Sequence, residues 1–204
     1  MLLDFLKLEF EKPDPKTIFI NGGKSDTDFA KHVKFIIGDT IGFDYKGVRR
    51  NFVASHKWNN RTYFVSELPL EQSSHSDLYN VLSEIKEYFP AGLISMMAKT
   101  TNKSDAETYE HENLFVPCLK NIGVSIYGAV AEEGDDAQYK LLYGSRDREK
   151  GGQWWIDDFM KSNTGILISS NGMASWARED AVCGVVVAFA IDFEPTLDWK
   201  EAHF

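Results

Sequence analysis

The sequence predicts an α+β domain of short, mostly antiparallel strands with one clear amphipathic helix and long loops. Three observations predict it. Short apolar runs recur between turn-forming dipeptides, a single segment repeats at helical spacing, and two adjacent tryptophans precede a β-branched run late in the chain. At 204 residues the chain can bury one sizeable core.

In chain order, Leu6, Leu8 and Phe10 alternate with Lys7, Glu9 and Glu11, the period-two pattern of a strand with one buried face. Pro13 and Pro15 end it. Thr17 to Ile20 is a second apolar stretch that runs into the turn signal Asn21-Gly22-Gly23, and Ser25 is placed to cap a short helix from Asp26 to His32. Residues 1–36 therefore read as an arm with little core of its own, and residues 37–204 as the main domain. Such an arm folds back on its domain or docks on a neighbouring subunit, with Leu6, Leu8 and Phe10 as its apolar contacts.

Strands are expected at Phe35 to Ile37, Ile41 to Phe43, Asn51 to Ala54 and Thr62 to Val65, with turns at Asp44 to Gly47 and Trp58 to Asn60. Leu78, Val81, Leu82, Ile85 and Phe89 then repeat at helical spacing, with Ser76 as N-cap and Pro90 just past the end. Its polar positions, Asp77, Asn80, Glu84, Lys86 and Glu87, face solvent, so this helix buries one stripe against a sheet. Leu93 to Ala98 reads as a strand, Thr100 to Asn113 as a polar surface loop, and Leu114 to Asn121 as a strand end turning into a short helix stopped at Gly123. The run Glu132 to Asp136 reads as a solvated acidic loop.

Trp154 and Trp155 cannot face the same way on an extended strand. One is expected in the core and the other under a loop or in a surface groove. Thr164 to Ser169 and Ala174 to Trp176, joined by Asn171-Gly172, make a hairpin, and Val182 to Ile191 reads as one final buried strand.

Charge and cysteine content exclude several classes. With 22 basic against 31 acidic residues the net charge is -9, and no Lys/Arg cluster stands apart from neighbouring acids. A phosphate backbone or an anionic membrane surface is thus a poor partner. No signal peptide and no membrane-spanning stretch is expected, because Asp4, Lys7 and Glu9 interrupt the apolar start. Cys118 and Cys183 are too few for a disulfide scaffold and lack zinc-ligand spacing, so buried free thiols are expected.

No catalytic constellation is legible. The five histidines are scattered, and no Gly-x-Ser-x-Gly elbow occurs. Glu132 to Asp136 and Asp157-Asp158 supply hard oxygens, but without the ligand spacing of a calcium loop. Neither a metal nor another cofactor is therefore expected. Aromatic faces stack on sugars and anchor protein interfaces. The candidate ligand-binding residues are accordingly Trp155 and Trp176, with Asp157, Asp158 and Arg148 in the neighbouring loops.

The order of Tyr63-Phe-Val-Ser66, Ser76-Asp77-Leu78, Leu114-Phe115-Val-Pro117, Trp154-Trp155-Ile156 and Gly184-Val185 resembles an uncharacterised family of small bacterial and prophage domains. Asp157-Asp158 departs from that family, which tends to have Arg-Ser there. Lys150-Gly151-Gly152-Gln153-Trp154 and the closing Gly184 to Phe189 are also similar to late motifs of the C-type-lectin-like fold, shared by formylglycine-generating enzymes and phage receptor-binding proteins. The resemblance implies a C-type-lectin-like domain over 37–204, without enzymatic activity. It would be a structural or decoration protein on the surface of a phage virion, or a related recognition module. Its implied partners are other virion proteins or further copies of itself, and a host-surface glycan or protein. The competing expectations are a thiol-dependent oxidase of the formylglycine-generating type, with Cys118 and Cys183 as its pair, and a cytoplasmic bacterial interaction module.

Overall fold

The structure is a computed structural model that describes residues 15–20, 34–58, 61–103, 108–111, 113–123, 133–134, 142, 146–160 and 163–192. The proposed arm contacts Leu6, Leu8 and Phe10, and the helix expected at Asp26 to His32, lie outside them. The fold is α+β and mostly strand.

A six-stranded sheet contains β1 (Thr17–Phe19), β2 (Thr40–Tyr45), β3 (Val48–Trp58), β4 (Arg61–Ser66), β8 (Leu114–Phe115) and β14 (Ala188–Asp192), in the order β1-β2-β3-β4-β14-β8. Strand β1 pairs parallel to β2, and every other pairing in this sheet is antiparallel. Thr17 to Phe19 therefore belongs to the domain sheet. The domain boundary drawn at residue 36 falls inside a sheet, because β1 satisfies its backbone groups on the edge of β2. Asp39 fixes this join. Its buried carboxylate accepts the backbone N–H of Lys16 at 2.8 Å and of Ile36 at 2.7 Å.

A second sheet contains β5 (Glu71–Ser73), β10 (Trp154–Met160), β11 (Thr164–Ile168), β12 (Ala174–Arg178) and β13 (Cys183–Val185), ordered β12-β11-β10-β13-β5. The hairpin expected around Asn171-Gly172 is β11-β12, with Ile166 opposite Trp176. A third, small sheet holds β6 (Thr100–Lys103), β7 (Thr108–His111) and β9 (Glu133–Gly134). The polar stretch read as a loop thus contains a hairpin, whose Thr, Asn and Lys side chains give no alternation to detect.

Helix α1 (Leu78–Glu87) buries Leu78, Leu82 and Ile85, as its spacing predicts. A 3-10 turn over His75–Asp77 precedes it, so Asp77 takes the N-cap position expected for Ser76. Two other expectations fail locally. Phe35 to Ile37 is loop and turn, with Phe35 buried by its edge-on contact to Phe64. Leu93 opens no strand, because Ala91–Ile94 forms the short helix α2, which begins directly after Pro90. Helix α3 (Leu119–Ile122) follows β8 as expected.

Buried side chains form two apolar clusters. One gathers Phe43, Phe52, Phe64 and Phe189 of the six-stranded sheet, the apolar stripe of α1, and Trp155, Leu167 and Cys183. The other gathers Tyr63, Val65, Ala188 and Ala190 with Trp154, Ile156, Ile166 and Ile168. The final apolar run is two strands in two sheets. Cys183–Val185 lies in the second sheet, and Ala188–Asp192 in the first. Side chains keep their alternation across that crossing: Val185, Val187, Phe189 and Ile191 enter the first cluster, and Val186, Ala188 and Ala190 the second.

Candidate functional site

The sequence-predicted site residues divide sharply by burial. Trp155 is fully buried, its indole N–H donating to Ser73 O at 2.8 Å and its ring meeting His75 edge-on at 5.1 Å. The loop cover or surface groove expected for one of the two tryptophans is corrected: β10 is covered on both faces, so Trp154 and Trp155 each enter a different cluster. Arg148 is buried as well. It donates through Nε to Gly172 O at 2.8 Å and through Nη1 to Leu142 O at 3.0 Å, while its own carbonyl accepts the Trp154 indole N–H at 2.9 Å.

Asp157 and Asp158 are also buried, where outward-facing loop carboxylates were expected. They occupy an irregularity in β10 between Ile156 and Phe159, where the register against β11 shifts and the simple alternation of sides breaks. Asp158 accepts the backbone N–H of Leu119 at the start of α3. Asp157 accepts the Tyr79 hydroxyl at 3.0 Å, and burial pushes its pKa up to about 6 despite that hydrogen bond. Beside it, His75 Nε2 lies 2.9 Å from Ile156 O, and burial holds its pKa below the usual imidazole value. Trp176 alone of the predicted set is exposed, at 63%, two strands away on the sheet edge β12. The structure therefore sets Trp155, Asp157 and Asp158 along β10 with separate partners, seats Arg148 on the Trp154 side of that strand, and leaves Trp176 apart.

The open concavity in this part of the molecule lies elsewhere, at the glycine pair. Lys150 to Gln153, leading into β10, forms one wall, Leu68 and Pro69 a second, and Val182 to Gly184 a third, with Arg50 and Gln72 completing a pocket of about 480 Å³. Local backbone demands shape it. Gly151 has φ +76°, a conformation costly for other residues. A Cβ on Gly184 would lie 2.7 Å from Pro69, and this approach lets Gly184 N–H donate to Gln153 O at 2.8 Å, joining two walls.

No family model matches the chain, and neither a curated protein nor a solved structure matches it.

The pocket's polar groups come from distant parts of the chain. Lys150 reaches back to donate to Ser66 O at 2.9 Å, so its ammonium is largely buried. Arg50 shares a face of β3 with Phe52 and stands opposite Phe43 in the sheet. Its Nε is buried and has no acceptor among the described residues. The nearby Glu71 carboxylate accepts the Tyr45 hydroxyl at 2.6 Å and pairs with Lys46. Although burial alone would raise the Glu71 pKa, those two hydrogen bonds hold it below the usual carboxylate value.

Cys183 lines the pocket, with Sγ 4.0 Å from Gln153 Oε1, and burial pushes its pKa up. Cys118 lies at the approach to α3, where its backbone N–H donates to Asn121 Oδ1 at 2.8 Å. Both thiols are buried and neither is in a disulfide. Among the described residues no group of three or more His, Cys, Asp or Glu is placed to hold a metal. No helix there is long and apolar enough to cross a membrane. Arg50 was beyond sequence reasoning, since it follows another arginine in an unremarkable hairpin. The pocket wall did carry a signal, because Lys150-Gly151-Gly152-Gln153 has more glycine than a strand start needs.

Proposed function

We propose that the protein is a non-enzymatic surface-recognition module with a C-type-lectin-like fold, serving as a structural or decoration protein of a phage virion. The segment before β1 attaches it to its assembly, and loops beside the second sheet meet a host-surface glycan or protein. The observation that carries this reading is the open pocket at the glycine pair, whose walls are set by backbone pairing and a buried lysine. A pocket formed in advance on a packed scaffold binds without first ordering its own loops. Exposed Trp176 supplies a second contact surface, since an unsupported indole on a sheet edge is the kind of ring that stacks on sugars or anchors a partner.

Whole-cell binding and a glycan array test it. Trp176→Ala is expected to weaken binding several-fold while leaving the thermal midpoint unchanged, because the ring is solvated in the free protein. Undiminished binding by Trp176→Ala would remove that ring from the recognition surface.

One observation favours the thiol-oxidase alternative: Cys183 borders the pocket. Against it stands the burial that raises this thiol's pKa, since thiolate chemistry needs the opposite shift. Titration of native thiols with and without copper separates the readings. The recognition module predicts slow reaction at both cysteines until the protein is denatured; a fast, copper-dependent pair would support the oxidase.

A further inference from the structure

We propose that the pocket at the glycine pair is an anion site, taking a carboxylate or phosphate group carried on an apolar body. This rests on the recognition reading and gives its ligand a chemical class. The charge balance is the first support. The whole chain carries -9, yet the pocket is lined by Arg50 and Lys150, and none of its described lining residues is acidic. Two cations around one concavity, partly shielded from water, attract an anion more strongly than the same charges would on an open surface.

The second support is the state of Arg50. A buried guanidinium N–H without an acceptor has lost its water and gained nothing in return, and Arg50 Nε is in that position among the described residues. The nearby Glu71 carboxylate is turned to Tyr45 and Lys46 through Oε1 and makes no hydrogen bond to Arg50 Nε. An incoming oxyanion would supply the acceptor, and guanidinium geometry suits both carboxylate and phosphate.

The third support is a glycine that the backbone does not require. Gly151 is fixed by its positive φ and Gly184 by the approach of Pro69, but Gly152 has no positive φ and a Cβ there would meet nothing within 4 Å. Its missing side chain leaves the pocket open. The exposed side chains of Leu68 and Val182 border the same opening and offer contact to an apolar body.

The full chain is titrated with benzoate and, separately, with benzamide, its uncharged analogue, following the backbone amide signals of Gly151, Gly152 and Gly184. Benzoate is expected to shift them saturably and benzamide is not. Arg50→Gln should weaken benzoate binding by about tenfold or more, with Arg50→Lys between that variant and the parent. Gly152→Leu, whose side chain enters open space, should abolish binding at an unchanged thermal midpoint. Competition by inorganic phosphate or by acetate then tells which anion the site prefers, either result being consistent with the assignment. Equal shifts from benzamide, the absence of saturable shifts from every anion, or full affinity in Gly152→Leu would each overturn it. A Gly152→Leu protein that loses benzoate but still binds cells would leave the anion site standing and take the recognition role away from this pocket.

Discussion

Asp157 shows how one buried carboxyl sets a pH response. Its pKa, raised from 3.8 to about 6 by burial, means that the folded protein holds this proton more tightly than the unfolded chain does. The stabilisation from the protonated form is complete below about pH 3.8 and is lost as pH rises through about 6. Asp157→Asn keeps an acceptor for Tyr79 and removes the charge. It should be more stable than the parent at pH 8 by up to about 3 kcal/mol, converting the shift at 1.36 kcal/mol per unit, with no advantage at pH 3.5. Denaturant melts of both proteins across that range measure the difference. His75, whose pKa burial lowers, titrates in the opposite sense, its neutral form favouring the fold above its ordinary pKa. That contribution is common to both proteins and cancels. A larger Asp157→Asn advantage at pH 3.5 than at pH 8 would contradict the buried-carboxyl account. The sequence could not show this residue's environment. Two adjacent acids before a turn read as solvated, and their neighbour Tyr79 lies 78 positions away in the chain.

At the scale of elements, the sequence was legible wherever one face of a segment met solvent or one pattern ran undisturbed. The spacing of Leu78, Leu82 and Ile85 predicted α1, and the Asn171-Gly172 turn predicted the β11-β12 pairing. It was illegible where both faces are covered. A strand buried on two sides has no polar positions to mark its alternation, so β10 gave no sign that Trp155 is as enclosed as Trp154. The final run likewise hid the crossing between sheets, because Val186 and Val187 are buried as completely as the strands they connect. Strand β1 was readable as an apolar stretch but not as a strand of the domain sheet, since part of what ties it there is the carboxylate of Asp39. Asp39→Ala would leave the Lys16 and Ile36 N–H groups without that acceptor. A loss of about 2–3 kcal/mol is expected, together with faster amide exchange confined first to β1 and its partners on β2. Unchanged exchange at Ile18 and Ile20 would show that β1 is held by other means.

At the scale of the molecule, two apolar clusters are shared by strands from both large sheets. Unfolding should therefore be a single transition, with ring signals from Phe189 and Trp154 lost together. The same architecture bounds the proposed attachment segment. Lys16 accepts Thr40 N–H through its carbonyl, and Pro15 packs at 3.2 Å from the position a Cβ would take on Gly38, so an attachment segment must end before residue 15. Removal of residues 1–14 should leave a soluble protein with the parent's thermal midpoint that no longer joins a particle; incorporation at parent levels would argue against attachment through this segment. The unbroken alternation from Val185 to Ile191 has one more consequence. Inserting a single residue between Val186 and Val187 would invert the parity of everything downstream, driving the Val187 chain and the Phe189 ring into space cut for two alanine methyl groups and the Ile191 chain out to the exposed position of Asp192. Inserting two would restore parity, leaving only a longer bridge between the sheets. A one-residue lengthening of this crossing should therefore cost far more stability than a two-residue one.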